Sequence, residues 1–511
     1  MSSPGGNGAA PELHTQQGRA RVAIDLGAES CRVSLLRWRE GTGSPRTGLG
    51  PWGGGRPEIA LVHRIPNGPV HANGSLRWPF ERILAGLEEG LRKAAAAAPE
   101  GIASVAVDGW AVDYVRLGAD GMPLAEPFCY RDERNIRSKE LADRLAPPEW
   151  AYRHAGAWPL RINTVYQLLA DPASGIDAHS PWVSLPEYVL YRLGGRRVAE
   201  YTNATHTGLV DIATGDWSDE LLERLHLPKV AFPPIVPAGS VIGKLRGPLA
   251  ELSAFRDTEL IVPACHDTAS AIAGIQTDLD GTAYICSGTW SLVGTVIPVP
   301  ITTQEAMDAG FTNQGAACEG FCFHTNVNGM WILKQCLESW RKAGRPWELP
   351  ELIAQAATRN DFPGTVNVDA PPLMLDEDMP SRLNEQLLAN GNAAIEDRAG
   401  NEPLFARVIF ESLAHRYSSA LRSLEHMLND SIKRVHILGG GSLNQLLTRL
   451  TAERTGLPVE TGNVESSTVG NFAVQMASSE ARGGRLKREA VRRWARELCE
   501  ERKCGEVHPV L

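Results

Sequence analysis

Residues 21–36 read RVAIDLGAESCRVSLL. An apolar run, Val22–Ile24, is closed by Asp25, a small polar turn follows at Gly27–Ser30, and a second strand-like run begins at Cys31. The pattern predicts a buried strand, a tight turn and a returning strand, a hairpin with a polar, Gly-bearing tip. Outward from it, EIALVHRI (58–65) predicts a third strand, reached through a Gly/Pro-rich insertion, GTGSPRTGLGPWGGGRP (41–57). LRWPFERILAGLEEGLRKAAAAA (76–98) then has apolar residues at helical spacing, and ASVAVDGWAVDYVRLGADG (103–121) resumes the strand pattern. Strands that begin antiparallel and continue through crossover helices predict a layered α/β domain.

The pattern recurs after a mostly helical middle. ELIVPACHDTASAIAGI (259–275) reads as strand, short polar turn and helix, and GTAYICSGTWSLVGTVIP (281–298) is again strand, polar turn, strand. That second hairpin echoes the first. A long amphipathic helix at 404–428 leads into the buried strand of RVHILGGG (434–441) and a helix from SLNQLL (442–447). The reading divides the chain into a disordered leader at 1–19, two similar α/β domains at 20–277 and 278–480, and a helical tail at 481–511. In that tail Leu486, Ala490, Trp494 and Leu498 fall on one stripe, which predicts a docked terminal helix with a solvated basic face.

Composition narrows the class. With 511 residues and about 150 per domain, two to four domains are expected. A formal net charge of -9 excludes the footprint of a general nucleic-acid binder. No stretch approaches the roughly 18 uninterrupted apolar residues of a membrane helix, and the N-terminus has no apolar core of a signal peptide. The nine cysteines form two close pairs, Cys318/Cys322 and Cys499/Cys504, neither completing a zinc site, so free thiols in a reducing, cytoplasmic setting are expected.

Polar turns bracketed by buried strands carry the chemistry. DLGAES (Asp25, Gly27, Ser30) and SGTWS (Ser287, Gly288, Thr289) each offer backbone N–H groups and a hydroxyl at a hairpin tip, a nest for phosphate oxygens. GGGS at 439–442 lies between a strand and a helix, where Gly lets the backbone approach an anionic or flat ligand. Three such turns point to a nucleotide. Asp25, Asp108 and Asp267 all fall just beyond strands, where functional groups gather in α/β sheets. A metal–phosphate complex needs a hard oxygen ligand, and an attacking hydroxyl benefits from a carboxylate that accepts its proton. The structural alternative for Asp267 is a helix N-cap ahead of TASAIAGI. Walker-type GxxxxGK[ST] and the protein-kinase HRD and DFG signatures are absent.

Taken together these segments resemble the FGGY carbohydrate kinases of the actin-like ATPase superfamily, and within them the rhamnulokinase branch. The resemblance runs from about Arg21 to about Met476. VAIDLGAESCRVSLL is similar to the first phosphate hairpin and VAVDGWAVDYVRLGADG to the segment usually read as D-T-W-G-V-D. YRDERN, NTVYQL, LPEYVLYRLGG and EYTNATHTGLVDIATGDW follow in the family's order. ACHDTASAIAG is similar to the catalytic loop, GTAYICSGTWSLVG to the second phosphate hairpin, VHILGGGSLNQLL to the adenosine segment, and VESSTVGN completes the set.

The resemblance implies an α/β fold of two actin-like (ribonuclease H-like) domains with a nucleotide cleft between them, sugar on the N-terminal lobe and ATP mainly on the C-terminal one. It implies an ATP-dependent kinase of a ketose primary hydroxyl, foremost L-rhamnulose, with another ketose or polyol (L-fuculose, xylulose, glycerol) or a non-catalytic sensor as alternatives. Asp267 matches the general base. His266, Thr268, Asn326, Asp108, Trp110 and Ala111 match the sugar site. Ala28, Glu29, Ser30, Cys31, Arg32, Ser287, Gly288, Thr289, Lys334, Gly440 and Gly441 match the ATP site, and Asp25 the Mg²⁺ ligand. The implied partners are the sugar and ATP, with no nucleic acid or membrane, in a monomer or homodimer. Departures from the family's pattern are Glu29 and Cys31 in the phosphate turn, Lys334 for the common Gln, Gly109 for Thr, and Ala111 for Gly. Cys31 would be strained if its position needed φ > 0.

Overall fold

The computed structural model describes residues 19–39, 56–375, 378–481, 483–499 and 506–507. The expected leader lies outside them except for Arg19, as does the 41–57 insertion except for Arg56 and Pro57. The chain forms two compact units: residues up to 155, 159–274 and 467–500 make the first, and 156–158, 275–466 and 501–511 the second. No helix among the described residues is long and apolar enough to cross a membrane.

The first unit is built on six strands: β1 (Ala20–Leu26), β2 (Ser30–Arg39), β3 (Arg56–Pro66), β4 (Ile102–Gly109), β5 (Val241–Lys244) and β6 (Glu259–Ile261), in the order β5-β6-β4-β1-β2-β3. The three strands β1, β2 and β3 form the expected antiparallel meander, while β1, β4 and β6 run parallel. Every residue of β1 and β4 is buried, which is why both read as near-continuous apolar runs ending in an aspartate or glycine. Helix α1 (Phe80–Ala97) buries Phe80, Ile83, Leu87, Leu91 and Ala94 along one face. Gly86 and Gly90 let it settle close on the meander: a Cβ there would stand 2.8 Å from Ile65 and 2.6 Å from Val33. Two shorter helices, α2 (Leu185–Arg192) and α3 (Asp267–Ala273), carry residues of the candidate site.

The second unit repeats the plan. Its strands β7 (Thr282–Ser287), β8 (Trp290–Ile297), β9 (Phe311–Gly315), β10 (Phe321–Asn328), β11 (Arg434–Leu438), β12 (Val459–Thr461) and β13 (Glu506–Val507) are ordered β9-β10-β8-β7-β11-β12-β13. An antiparallel hairpin, β7–β8, is again flanked by parallel strands, β11 and β12. The β9–β10 hairpin is additional to the sequence reading. It holds Cys322 buried on β10, and the eight cysteines among the described residues form no disulfide with one another. Helices α4 (Trp331–Lys342), α5 (Glu402–Leu428) and α6 (Gln445–Thr455) complete the unit.

The chain then rejoins the first unit through α7 (Ser466–Ala481) and α8 (Arg488–Cys499). The sequence reading had kept 278–480 together, following chain continuity. The buried stripe of α8 is also shifted from the expected one: Val491, Trp494, Ala495 and Cys499 are buried, whereas Ala490 and Leu498 are half-exposed. The helix starts only at Arg488, and a hydrogen bond from Trp494 Nε1 to Glu480 Oε1 (3.0 Å) sets which face turns inward.

Candidate active site

Three strand ends bring three carboxylates together in the first unit. Asp25 on β1 pairs in register with Asp108 on β4. Beyond the last regular pairs, Trp110 N–H donates to Leu26 O (3.1 Å) and Gly109 N–H to Cys265 O (2.9 Å), so the β4 end is tied both to β1 and to the loop carrying Asp267. Gly109 is required by that junction. A Cβ there would stand 2.5 Å from the Leu26 Cβ, so the Gly that replaces the usual Thr answers to strand packing.

The three carboxylates differ in surroundings. Asp25 is 2% exposed, and its Oδ2 accepts from Arg32 Nη2 (2.7 Å) and from Ser467 Oγ (2.6 Å). Arg32 stands directly across the hairpin from it, so the pair is a product of register. Asp108 is fully buried; the Ser270 hydroxyl and Asn471 amide beside it do not reach hydrogen-bond geometry. Burial, with the charge of Asp25 next, holds its carboxyl well above the usual range. Asp267 is one-third open (37% exposed). The walls around it, and then the charge of Asp25, push its carboxyl up to about 7.

Asp267 is not the cap of its helix. His266 occupies the N-cap position without a side-chain cap bond, and Asp267 is the first helical residue. Its Oδ1 accepts from Thr268 Oγ1 (3.1 Å) and lies 3.4 Å from His266 Nε2. Both of these contacts fall on Oδ1, and the Thr268 N–H lies beside the same carboxylate.

The segment 200–206 clamps this loop. Glu200 Oε2 accepts from Cys265 N–H (2.9 Å), Thr202 Oγ1 from His266 N–H (3.3 Å), and His206 Nε2 sits 2.9 Å from His266 Nδ1. Glu200 also caps its own short helix through Thr202 and Asn203. Its N–H donates to Glu187 of α2 at 3.0 Å. Burial pushes the Glu200 carboxyl up to about 8 and that of Glu187 to about 7. Neither Glu200 nor His206, both within EYTNATH (200–206), has a role in the sequence reading.

Helix α7 is the other element that sequence reasoning left unassigned. Ser467, Asn471 and Gln475, four residues apart, share one face. Ser467 holds Asp25, Asn471 lies beside Asp108, and Gln475 accepts from Ser104 Oγ (2.6 Å) and donates to Val22 O (3.1 Å). Gly470 on α7 meets α3 almost backbone to backbone: a Cβ there would lie 1.7 Å from Ser270 O.

A wall of the site comes from residues 109–113. Val112 adopts φ 70°, a strained conformation for a β-branched residue, and its carbonyl accepts from Thr164 Oγ1 (2.8 Å) and Gln167 Nε2 (3.1 Å). Asp113 accepts from Trp78 Nε1 (2.6 Å) and Trp110 Nε1 (3.0 Å), so Trp110 and the adjoining Ala111, both nearly buried, are fixed in place. Thr268 and His266 are buried beside Asp267.

At the first hairpin tip Gly27 has no room for a side chain, since a Cβ would meet Ser30 O at 2.4 Å. Asn67 clasps the tip, donating from Nδ2 to Gly27 O and from its N–H to Glu29 O, each at 2.9 Å. Ala28 and Ser30 are half-exposed and Glu29 is exposed. Cys31 lies within β2, opposite Leu26, and is not among the positive-φ residues; it is fully buried. The expected strain at this position does not arise.

In the second unit the β7–β8 tip is clasped by the start of α4: Met330 N–H donates to Gly288 O (3.0 Å) and Trp331 N–H to Thr289 O (3.2 Å). Gly288 N–H is itself taken by Trp290 O (2.8 Å), so this tip has one amide fewer for an anion than its sequence suggests. Lys334, exposed, projects from the first turn of α4. Gly441 meets Ser287: a Cβ would be 2.0 Å from its Oγ, whereas Gly440 borders open space. Gly439, at φ 78°, turns the chain from β11 into this segment. Ser287 and Gly441 therefore pack directly together, with Gly288, Thr289 and Gly440 adjoining them in the chain. Asn326, half-buried on β10, pairs with Leu292.

A divalent cation fits the donors of the first unit. Among the described residues no group of three or more His, Cys, Asp or Glu could hold a metal alone. Mg²⁺ is ordinarily held by one or two carboxylates with phosphates and waters, and Asp25 with its Oδ1 outside both hydrogen bonds supplies that share.

Comparison with known proteins agrees with this architecture. Residues 64–274 match the N-terminal domain of the FGGY family of carbohydrate kinases, and residues 283–479 its C-terminal domain. A rhamnulokinase of Bacteroides thetaiotaomicron is 32% identical over 457 residues, 89% of each chain. One of Bacillus subtilis is 30% identical over 479 residues, 92% of this chain and 93% of that one. Among solved structures, a xylulose kinase from Rhodospirillum rubrum gives a TM-score of 0.71 at 17% identity, covering 96% of this chain and 94% of that one. Plasmodium falciparum glycerol kinase with ADP gives 0.70 at 13% identity, with the same coverage of 96% and 94%.

Proposed function

The chain belongs to the FGGY family of carbohydrate kinases, and on that premise we propose that it transfers the γ-phosphoryl group of Mg-ATP to a primary hydroxyl of L-rhamnulose, giving L-rhamnulose 1-phosphate. The observation that carries the mechanism is the Asp267 carboxylate, contacted at Oδ1 by Thr268 and His266 and one-third exposed. Oδ2 accepts the hydroxyl proton as the oxygen attacks the γ-phosphorus; the new O–P bond forms while the bond to the β-phosphate oxygen breaks and ADP leaves. A carboxyl pushed up to about 7 matches that task, because a base with its pKa near the working pH combines strength with a substantial ionised fraction.

Mg²⁺, bound at Asp25, would neutralise charge on the phosphates. The amides of Ala28, Glu29 and Ser30 and the guanidinium of Arg32 receive phosphate oxygens on the first unit, while Cys31, buried within β2, lies behind the turn. Thr289, Ser287, Gly288, Lys334, Gly440 and Gly441 serve the nucleotide on the second. His266, Thr268, Trp110 and Ala111 contact the sugar on the first unit and Asn326 on the second; Asp108 is fully buried and makes no such contact. The choice of L-rhamnulose rests on relatives that match over about nine-tenths of the chain.

Replacing Asp267 with Asn should lower kcat by about 10²–10⁴, the range for a lost general base. Near-wild-type turnover of the purified variant would remove Asp267 from that role. The change at Ala111, one methyl beside Trp110 where Gly is usual, favours testing other sugars. ATP consumption with L-rhamnulose, L-fuculose, xylulose and glycerol in turn decides among them, and ATP binding without turnover on any sugar would leave a sensor.

A further inference from the structure

His206 has no part in the reaction as proposed, yet it makes a direct contact with the ring beside the candidate base. Its Nε2 lies 2.9 Å from His266 Nδ1, with the ring centroids 3.9 Å apart and the planes at 61°. The other nitrogen of His266, Nε2, lies 3.4 Å from Asp267 Oδ1. The His266 backbone is independently anchored by Thr202, and the preceding residue by Glu200, so the ring has little freedom to turn away from either neighbour.

With both imidazoles neutral, one proton occupies the contact between the rings, and its owner decides what His266 presents to Asp267. If His266 carried it on Nδ1, the lone pair of Nε2 would face an ionised carboxylate, which is repulsive. If His206 carries it, His266 holds its own proton on Nε2 and points an N–H at Oδ1, which is attractive. The charge needed on Asp267 for catalysis selects the second arrangement. We infer that His206 is a positioning residue: its Nε2–H donates to His266 Nδ1 and fixes the His266 proton on Nε2, facing Asp267. The inference rests on the reading of Asp267 as general base. The N–H of His266 then holds Oδ1, leaving Oδ2 to the substrate hydroxyl. This is the logic by which a second group sets the tautomer of a working histidine.

Two variants test it. His206→Leu removes the donor, whereas His206→Gln keeps an N–H able to reach Nδ1. The expected result is a kcat lowered about tenfold in His206→Leu, the effect of one lost hydrogen bond at a charged group, and recovered to within about threefold in His206→Gln. Nitrogen-15 NMR of histidine-labelled protein at pH 8, with the His266 signals assigned by their loss in His266→Asn, should show Nε2 protonated and Nδ1 as an acceptor in the wild type. The Nδ1 signal should shift in His206→Leu and return in His206→Gln. Equal behaviour of the Leu and Gln variants, or a wild-type His266 protonated on Nδ1, would overturn the inference. The NMR arm needs no turnover, so it judges His206 even if Asp267→Asn were to remain active and the general-base reading were to fail alone.

Discussion

On Asp267 two influences act against the ionised form, desolvation and the charge of Asp25, while the hydroxyl and N–H of Thr268 and the charge of Arg32 favour it. The net effect raises the carboxyl to about 7, so it takes up a proton as pH falls through that value and ceases to be a base. The kcat/KM for the sugar should therefore be level above about pH 7 and fall about tenfold per unit below it, since kcat/KM reports groups of the free enzyme. A profile that stays flat down to pH 5 would contradict this. The same residue scale shows what a sequence yields. Asp25, Asp108 and Asp267 are legible because each ends an apolar run, and strand ends are where α/β sheets place functional groups. His206 and Ser467 are not, because their partners lie 60 and 442 positions away. Cys31 reads as a defect in a phosphate turn, yet it sits one residue inside β2, buried, with burial pushing its thiol up to about 12. That leaves a thiol with negligible thiolate at neutral pH, which disfavours redox control at this position.

At the scale of elements, α7 organises the carboxylates. A polar stripe at four-residue spacing ordinarily marks the solvent face of a helix, and nothing in SSTVGNFAVQ says otherwise. Here the stripe turns inward because buried groups of β1 and β4, namely Asp25, Asp108, Ser104 and the Val22 carbonyl, lie along it. The strands themselves, and the likeness of the two hairpins, are plain in the sequence since each is an apolar run bounded by turn residues. The β9–β10 hairpin is not, because FTNQG and FCFHTNVN mix polar and apolar residues and both strands are mostly buried. The crossing of α7 with α3 depends on Gly470. Gly470→Ala drives a methyl into the Ser270 carbonyl at the helix that carries Asp267, an overpacking with no flexible side chain to yield. It should cost about 3 kcal/mol, at the upper end for inserted methyls. Urea unfolding would show this as a lowered midpoint with unchanged slope, and a loss under about 1 kcal/mol would mean the helices separate without penalty.

At the scale of the molecule, the chain passes between the two units after residues 155, 158, 274, 466 and 500. The first unit is therefore finished only by residues 467–500, which follow the long segment of the second unit in the chain. The family match at 283–479 follows sequence continuity and takes in most of α7, whereas the contacts of α7 lie with β1, β4 and α3. Without α7 the first unit would lose the partners of several buried polar groups on one face and open that face to water. The buried Arg21 guanidinium, held by Ser104 Oγ (2.9 Å) and Met476 Sδ (2.8 Å), would lose its methionine contact. Ser104 would lose Gln475, and Asp25 would keep Arg32 but lose Ser467. Each hydrogen bond exchanged for water costs about 0.5–1.5 kcal/mol, and several together are a large share of the roughly 5–15 kcal/mol that stabilises a domain. A fragment of residues 19–274 should accordingly melt without a cooperative transition and bind hydrophobic dye. The same fragment joined through a flexible Gly/Ser linker to residues 467–499 should regain a cooperative melt. A cooperative transition in the fragment alone would show that the strands close their own polar face, and that α7 adds alignment of the carboxylates without adding the fold.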